Sequence, residues 1–240
     1  MPTPYNLNVN HNCSGCPART NPNRFCNMSA KVIEAMERIK FTAVYPKGSL
    51  LFVEGEAARG VYILCSGKVK LTTSSTEGRT LIVRVLEAGE VIGASAVILD
   101  RGYEVSAETI EPSQVNFIRR EDFMQFVTSE KEAMMGVARQ LSGDYYVAQR
   151  EIRSFGLAQT TSEKLARLVL DWCDQRGEKT DQGIRLKVLL THEEIAQMIG
   201  TTRETVTRLL MQLRNKKVID VKGSTVMVSQ PAMLAGMVTV

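Results

Sequence analysis

The chain has 240 residues, of which 44% are hydrophobic and 23% charged, and its formal net charge is +4. This length accommodates one large domain or two smaller ones, each with its own core, and the composition is that of an ordinary globular protein. No apolar run approaches the roughly 18 residues needed to cross a bilayer, and the first residues lack the basic start and apolar segment of a signal peptide. We therefore expect a cytoplasmic protein.

The N-terminal segment contains three of the five cysteines. Cys13 and Cys16 are separated by two residues, and Cys26 follows after nine more. An odd number of cysteines in a reducing compartment argues against a disulfide framework. Residues 1–27 show no hydrophobic period, so we expect irregular structure that carries metal or redox chemistry.

The next segments alternate between helical and strand patterns. Residues 29–39 predict a short amphipathic helix with Val32, Ile33, Met36 and Ile39 on one face. From 41 to 118, short β-branched runs are broken by glycines at the spacing expected of a small sandwich or barrel. The expected strands are 50–53, 60–64, 68–72, 80–85, 105–107 and 114–118.

A long helix is predicted over residues 133–155, inside a region that is helical from 120 onwards. Its apolar stripe contains Met134, Val137, Leu141, Tyr145, Ala148 and Ile152, and a stripe of this length must be buried. It could pack on the protein's own strands or on a second copy of the same helix. We favour a homodimer with Met134, Val137, Leu141 and Ile152 at its interface. Residues 156–161 predict a hinge, and Thr161 or Ser162 is expected to cap the next helix.

Two short helices joined by a glycine turn are predicted between Thr191 and Leu213. Thr191 and Glu194 have the spacing of a capping box, and Ile195, Ala196 and Ile199 form an apolar face. Gly200 supplies the turn, and Thr201 or Thr202 caps the second helix. Its expected buried positions are Val206, Leu209, Leu210 and Leu213. The pattern is that of a helix-turn-helix.

The exposed face of the second helix carries groups that read DNA bases. Arg203, Glu204, Thr207 and Arg208 lie near its N-terminal end, where a recognition helix meets base edges. Arginine can donate two hydrogen bonds to guanine, and glutamate can accept one from cytosine. The alternative is a solvated surface with an Arg203–Glu204 ion pair.

A basic stripe runs along the second helix, and a hairpin follows it. From Thr201 to Lys217 the single acid Glu204 is outnumbered by the basic residues Arg203, Arg208, Arg214, Lys216 and Lys217. Lys216 and Lys217 add positive charge that favours phosphate. Residues 217–228 form two β-runs around Lys222, Gly223 and Ser224. This hairpin would be a wing that touches the adjacent DNA backbone.

Residues 203–208 resemble the recognition helix of the CRP/FNR superfamily of bacterial regulators. Segments 46–48, 54–56, 60–64, 66–71 and 89–93 are similar to the β-roll signatures of that family. The resemblance implies an α+β fold with a cyclic-nucleotide-binding-like β-roll (a double-stranded β-helix), a long dimerisation helix and a C-terminal winged helix-turn-helix. The corresponding divisions are a cysteine-containing segment (1–28), a sensor domain (29–130), a dimerisation helix (131–156) and a DNA-binding domain (157–240).

The resemblance also implies the DNA site. Arg203, Glu204 and Arg208 match the base-reading positions of the catabolite-activator branch, which implies palindromic TGTGA-like half-sites in double-stranded DNA. Thr201, Thr202, Thr207, Lys216 and Lys217 are the further expected DNA contacts. RNA polymerase is a partner that the resemblance implies.

The cyclic AMP site does not carry over. That branch holds the ribose with a Gly-Glu pair and the phosphate with an Arg-Ser pair, and the aligned residues here are Gly93-Ala94 and Val105-Ser106. A cyclic phosphate would lack its charge-assisted partner. We therefore expect that cyclic AMP is not the effector.

The N-terminal cysteines instead resemble the oxygen-sensing iron–sulfur branch, which implies a response to oxygen, nitric oxide or redox state. Thiolates are usual ligands of such clusters and of structural zinc. The fourth ligand is open, because the position aligned with that branch's later cysteine is Asn116. Cys65, His11 or a carboxylate could supply it. Structural zinc, haem, metal-free reactive thiols and a small-molecule effector other than cyclic AMP are the alternatives.

Enzymatic function is not expected. The chain has two histidines, His11 and His192, and the latter falls inside the helix-turn-helix. A histidine-based catalytic group therefore has nowhere to assemble, and no glycine-rich loop of the P-loop spacing is present.

Overall fold

The computed structural model describes residues 5, 7, 9, 12–22, 24–157 and 160–238. Side chains are described within these ranges except at 150, 151 and 153–157. The chain divides into two compact units, Met1–Val147 and Ala148–Val240. His11 and part of the expected hinge, residues 158 and 159, lie outside the described residues.

The first unit is built from strands flanked by helices. Two short 3₁₀ turns, Cys13–Gly15 and Pro17–Thr20, precede α1 (Ala30–Ile39). The strands and remaining helices are β1 (Lys40–Tyr45), β2 (Leu50–Phe52), β3 (Gly60–Ser66), β4 (Val69–Ser74), β5 (Thr80–Leu86), β6 (Val91–Ile92), α2 (Ala94–Leu99), β7 (Ser106–Thr109), β8 (Ser113–Arg119), α3 (Arg120–Ser129) and α4 (Lys131–Leu157). The last residues of α4, from Ala148 onwards, belong to the second unit.

Two four-stranded antiparallel sheets form the expected β-roll, with strand orders β1-β8-β3-β6 and β2-β7-β4-β5. Every run expected to be a strand contributes one. Strands β1 and β6 and helix α2 were not expected. β1 escapes a sequence pattern because three of its six residues are exposed, and β6 is only two residues long.

Helix α1 and the segment before it close one side of the first core. Val32, Ile33 and Met36 are buried, as expected from their spacing. Phe25 is 1% exposed, and its backbone N–H donates to the Gly89 carbonyl over 3.0 Å. The cysteine-containing segment is therefore anchored to the β-roll at Phe25.

Helix α4 has two apolar faces rather than one. Ala133 and Val137 are buried in the core of their own unit, and Leu141 packs partly against it. Met134, Tyr145 and Ile152 are 49%, 67% and 65% exposed. The expected stripe thus combined residues that lie on two different faces of the helix. Val137 packs in the core of its own chain and not on the exposed face.

The second unit contains the helix-turn-helix and its wing. Its elements are α5 (Thr161–Arg176), β9 (Glu178–Thr180), β10 (Gly183–Lys187), α6 (His192–Ile199), α7 (Arg203–Asn215), β11 (Ile219–Lys222), β12 (Thr225–Val228) and α8 (Pro231–Ala235). The strands form one antiparallel sheet in the order β11-β12-β10-β9. The β11–β12 hairpin confirms the expected wing, whereas β9 and β10 were not expected.

The start of α5 differs by one residue from the expectation. Thr160, not Thr161 or Ser162, is the N-cap, and its side chain accepts a hydrogen bond from the Glu163 N–H. Three adjacent hydroxyl residues can all cap a helix, so composition did not distinguish them.

None of the helices in the described ranges combines the length and apolarity that crossing a bilayer requires.

Candidate DNA interface and sensor site

The turn between α6 and α7 is fixed by caps on both helices. Thr191 and Glu194 form the expected capping box at the start of α6. Gly200 ends α6 with φ = 65°, a left-handed conformation that glycine adopts without steric cost. Thr202 then caps α7 by accepting a hydrogen bond from the Thr205 N–H. These caps confirm the helix-turn-helix expected from the sequence.

Burial of one face of α7 determines which residues its other face presents. Val206, Leu209 and Leu213 are buried, while Leu210 is only partly buried. Together with Ile195 and Ile199 of α6, they belong to the core of the second unit. The N-terminal part of α7 is therefore held in place by its own apolar side.

The exposed face of α7 presents Arg203, Glu204 and Arg208 to solvent. Within the part of the chain that the structure describes, no ion pair joins any of these three to another residue, so the alternative Arg203–Glu204 pair is not formed. Arg203 is the first residue of α7, where the helix dipole disfavours a positive charge. Helix stability therefore does not account for its position.

Thr207 is half-buried, and its hydroxyl is used inside the protein. It donates to the Arg203 carbonyl over 2.9 Å and lies 2.9 Å from His192 Nδ1. His192 thus ties the first turn of α6 to α7, a role that sequence reasoning missed. The methyl group of Thr207 is the part left for a DNA contact.

The end of α7 leads into the wing. Lys216 and Lys217 are both exposed, and Lys217 has φ = 56°. Its N–H donates to the Arg214 carbonyl and its carbonyl accepts from Gln230 Nε2. A lysine in this left-handed conformation is uncommon. At the other end of α7, the N-cap residue Thr202 is exposed and the preceding Thr201 is half-buried.

Four of the five cysteines lie in the first unit, near enough to influence one another electrostatically. Cys13, Cys16 and Cys65 are half-buried and Cys26 is buried. Burial first, and then the nearby Cys65, Cys16 and Cys13, raise the pKa of the Cys26 thiol well above its usual range. Burial likewise raises the pKa of Cys65 to about 12, with Cys13 and Cys16 adding to the effect. Cys173 belongs to the core of the second unit.

Cys65 lies at an irregularity of the sheet beside Asn116. The β3–β8 register shifts between Leu64 and Ser66, and the backbone amide of Asn116 hydrogen-bonds to Cys65. Asn116 is the position aligned with the fourth cysteine of the iron–sulfur branch, and it is buried. Cys65 therefore lies on the strand that pairs with the strand of Asn116.

Polar groups surround Cys13 in particular. Lys40 Nζ donates to Cys13 Sγ over 3.0 Å, and the Cys13 N–H donates to Glu37 Oε1 over 2.6 Å. Asn116 Nδ2 is 3.9 Å from the same sulfur. Across the described part of the chain, no three His, Cys, Asp or Glu side chains are grouped so as to hold a metal ion. The donor chemistry fits a thiolate-bound centre, although the sulfurs do not converge on one point.

A cavity of about 110 Å³ lies between the β-roll and α4. Gly93, Ala94 and Val105 line it, so the positions aligned with the cyclic AMP ligands are uncharged there. Arg84 and Asp144 also line it and form an ion pair across it. Sequence reasoning missed both, although an arginine inside the apolar run 80–86 was a visible signal.

The comparisons with known proteins agree with this architecture. The cyclic nucleotide-binding domain family matches residues 42–130, and the Crp-like helix-turn-helix domain family matches residues 163–237. The global nitrogen regulator of Synechococcus elongatus is 32% identical over 197 residues, which cover 80% of this chain and 86% of that protein. The cAMP-activated global transcriptional regulator CRP of Salmonella typhimurium is 27% identical over 187 residues, 77% of this chain and 87% of the relative.

Solved structures support the fold. FixK2 from Bradyrhizobium japonicum superposes with a TM-score of 0.72 at 19% identity, covering 84% of this chain and 98% of that one. The two relatives compared by sequence, the global nitrogen regulator and CRP, are transcription regulators and not enzymes. The chain belongs to the CRP/FNR family of DNA-binding transcription regulators.

Proposed function

We propose that this regulator binds palindromic DNA with TGTGA-like half-sites as a homodimer, in the cytoplasm and in concert with RNA polymerase. CRP-family regulators bind DNA and act as dimers. The observation that carries the proposed site is the exposed set Arg203, Glu204 and Arg208, held at the start of α7 without ion-pair partners among the described residues. Two arginines and one glutamate provide donors for guanine and an acceptor for cytosine.

Binding-site selection from randomised duplexes tests this proposal. We expect a palindrome whose half-sites are about one helical turn apart, so that both recognition helices meet the major groove. Affinity should fall steeply as salt rises, because phosphate contacts release counterions. A non-palindromic motif, or binding without sequence preference, would contradict the proposed site.

The exposed stripe of α4 supports a dimer interface between two copies of this helix. Met134, Ala138, Tyr145, Ala148 and Ile152 are exposed, and Leu141 lies half-buried among them. Successive members of this set of six are separated alternately by four and three residues, the spacing of the a and d positions of a heptad repeat. We assign Met134, Leu141 and Ile152 to this interface and leave Val137 to the protomer's own core.

We further propose that Cys13, Cys16, Cys26 and Cys65 hold the sensing group, an iron–sulfur cluster. The support is the donor set, since four thiols lie within electrostatic range of one another next to the β-roll. Such a cluster, when bound, supplies a centre that responds to oxygen, nitric oxide or redox state. Lys40 would provide a hydrogen bond to the Cys13 sulfur, and bonds of this kind tune cluster potentials. Structural zinc is the second candidate, because four thiolates are also its usual ligands.

Serine variants measured after anaerobic purification test the sensor proposal. Replacing Cys13, Cys16 and Cys26 together should abolish bound metal and sulfide and the visible absorption spectrum, and should change DNA affinity. Cys65→Ser alone should also cause loss of the metal, whereas Cys173→Ser is the matched control and should retain it. Unchanged metal content and DNA affinity in the triple variant would contradict the sensor, and unchanged content in Cys65→Ser would remove that residue as ligand. Metal that persists in air without absorbing visible light indicates zinc.

A further inference from the structure

A buried carboxylate in the loop between β5 and β6 is paired on both sides. Glu90 is 4% exposed. One of its oxygens lies 2.5 Å from Arg84 Nη2, and the other lies 2.9 Å from Arg24 Nη1. The second oxygen also accepts the Glu87 N–H over 2.7 Å. A buried charge is costly unless it is paired and hydrogen-bonded, so Glu90 depends on both arginines.

One end of this network belongs to the cysteine-containing segment. Arg24 precedes Cys26 by two residues and also binds Glu87, with 2.9 Å between Nη2 and Oε2. Next to it, the Phe25 N–H donates to the Gly89 carbonyl. The segment is therefore attached to the loop between β5 and β6 by one backbone hydrogen bond and two ion pairs.

The other end of the network is on α4. Arg84 uses its second terminal nitrogen, Nη1, to bind Asp144. One turn earlier, the Gln140 amide accepts from the Val91 N–H over 2.8 Å and donates to the Val91 carbonyl over 2.5 Å. Glu90 therefore connects Arg24, a residue of the cysteine-containing segment, to Arg84, which binds Asp144 of α4.

The network also engages the positive charge of the cavity beside α4. Arg84 supplies the positive charge among the residues that line it, and both its terminal nitrogens are bound to carboxylates. An anionic effector entering the cavity would have to displace Glu90 or Asp144 from Arg84. That exchange would deprive Glu90 or Asp144 of its ion pair with Arg84, at a cost greater than that of an ordinary surface ion pair.

We propose that Arg24, Glu90, Arg84 and Asp144 form an internal link that couples the cysteine segment to α4 in place of a diffusible anionic effector. The direction of signalling from cysteines to helix rests on the proposed sensor, whereas the link itself depends only on the described contacts. Displacement of residues 24–26 breaks the ion pair between Arg24 and Glu90. Arg84 is then the remaining arginine partner of Glu90, and Glu90 competes with Asp144 for its guanidinium group. The packing of α4 changes as a result.

Hydrogen–deuterium exchange of residues 137–147 in the full-length protein tests the link. Arg24→Met keeps Phe25 and changes no residue of α4, yet it should raise exchange there about fivefold or more, as Asp144→Asn should. The double variant should exchange no faster than the faster single variant, because both act through one network. Arg24→Lys, which keeps the charge, should recover part of the protection. Asp100→Asn is the control, since the Asp100–Arg120 pair lies on the surface.

The link would be overturned if exchange in α4 is unchanged in Arg24→Met. It would also be overturned if the increases in exchange rate of the two single variants multiply in the double variant. The Cys13, Cys16 and Cys26 triple-serine variant separates the link from the sensor. If it leaves α4 exchange unchanged while Arg24→Met raises it, the link stands and the sensor fails. Cyclic AMP is the probe for the cavity, and it should not shift the thermal midpoint of the unmodified protein. A rise in the thermal midpoint with cyclic AMP would show that the cavity accepts an anion. It would overturn the proposal that the network acts in place of a diffusible anionic effector.

Discussion

Replacing Met134 and Ile152 with glutamate is expected to convert the protein from dimers to monomers. Both side chains are exposed in the single chain, at 49% and 65%, and both lie on the proposed helix interface. Dimerisation would place four carboxylates in one apolar seam, and burying an unpaired ion costs several kcal/mol. The dimer dissociation constant should rise at least about 100-fold, since each 1.4 kcal/mol is a factor of ten. Sedimentation velocity measures this directly.

The choice of residues keeps the fold of the protomer intact. Leu141 packs partly against its own core, so its replacement would combine loss of dimer with loss of stability. Leu99→Glu is the control, because Leu99 is 59% exposed and lies on α2 rather than on α4. The dimeric control should bind palindromic DNA normally, whereas the monomer should bind it weakly. A double variant that remains dimeric would place the interface elsewhere.

The helix-turn-helix could be predicted residue by residue because its determinants are local. Thr191, Glu194 and Gly200 act through hydrogen bonds and backbone angles within a few positions of themselves. The two faces of α4 could not be separated in the same way. Val137 and Leu141 are both apolar and lie one turn apart, and only the position of the β-roll determines which one is fully buried.

The cysteine group shows the same limit. Cys13, Cys16 and Cys26 are close in sequence, so their clustering was visible, whereas Cys65 joins them through the pairing of β3 with β8. Pairing between distant segments has no local pattern. The Arg24–Glu90–Arg84–Asp144 network was missed for this reason, since its members span 120 positions of the chain.

Replacing Arg203 or Arg208 with alanine is expected to weaken binding to the preferred palindrome by about 1–3 kcal/mol per contact and to relax selection at one base pair. Both guanidinium groups are exposed and have no ion-pair partner among the described residues, so little protein structure is lost with them. Arg203→Ala should leave thermal stability unchanged or slightly raised, because it removes a positive charge from a helix N-terminus. Glu204→Gln should lose preference at the cytosine that Glu204 contacts. Binding to a panel of single-base variants of the site gives each contribution.

Lysine variants at the end of α7 provide the contrast that makes the test specific. Lys216→Ala and Lys217→Gly should weaken binding to all sequences alike and reduce the salt slope, since phosphate contacts position the protein without reading bases. Glycine at 217 accepts the left-handed conformation found there, with φ = 56°, so the variant should not lose stability. If guanine preference persists in both arginine variants, the assigned roles are wrong even though the protein binds DNA. If the lysine variants change sequence preference, then α7 and the wing read DNA together rather than dividing recognition from positioning.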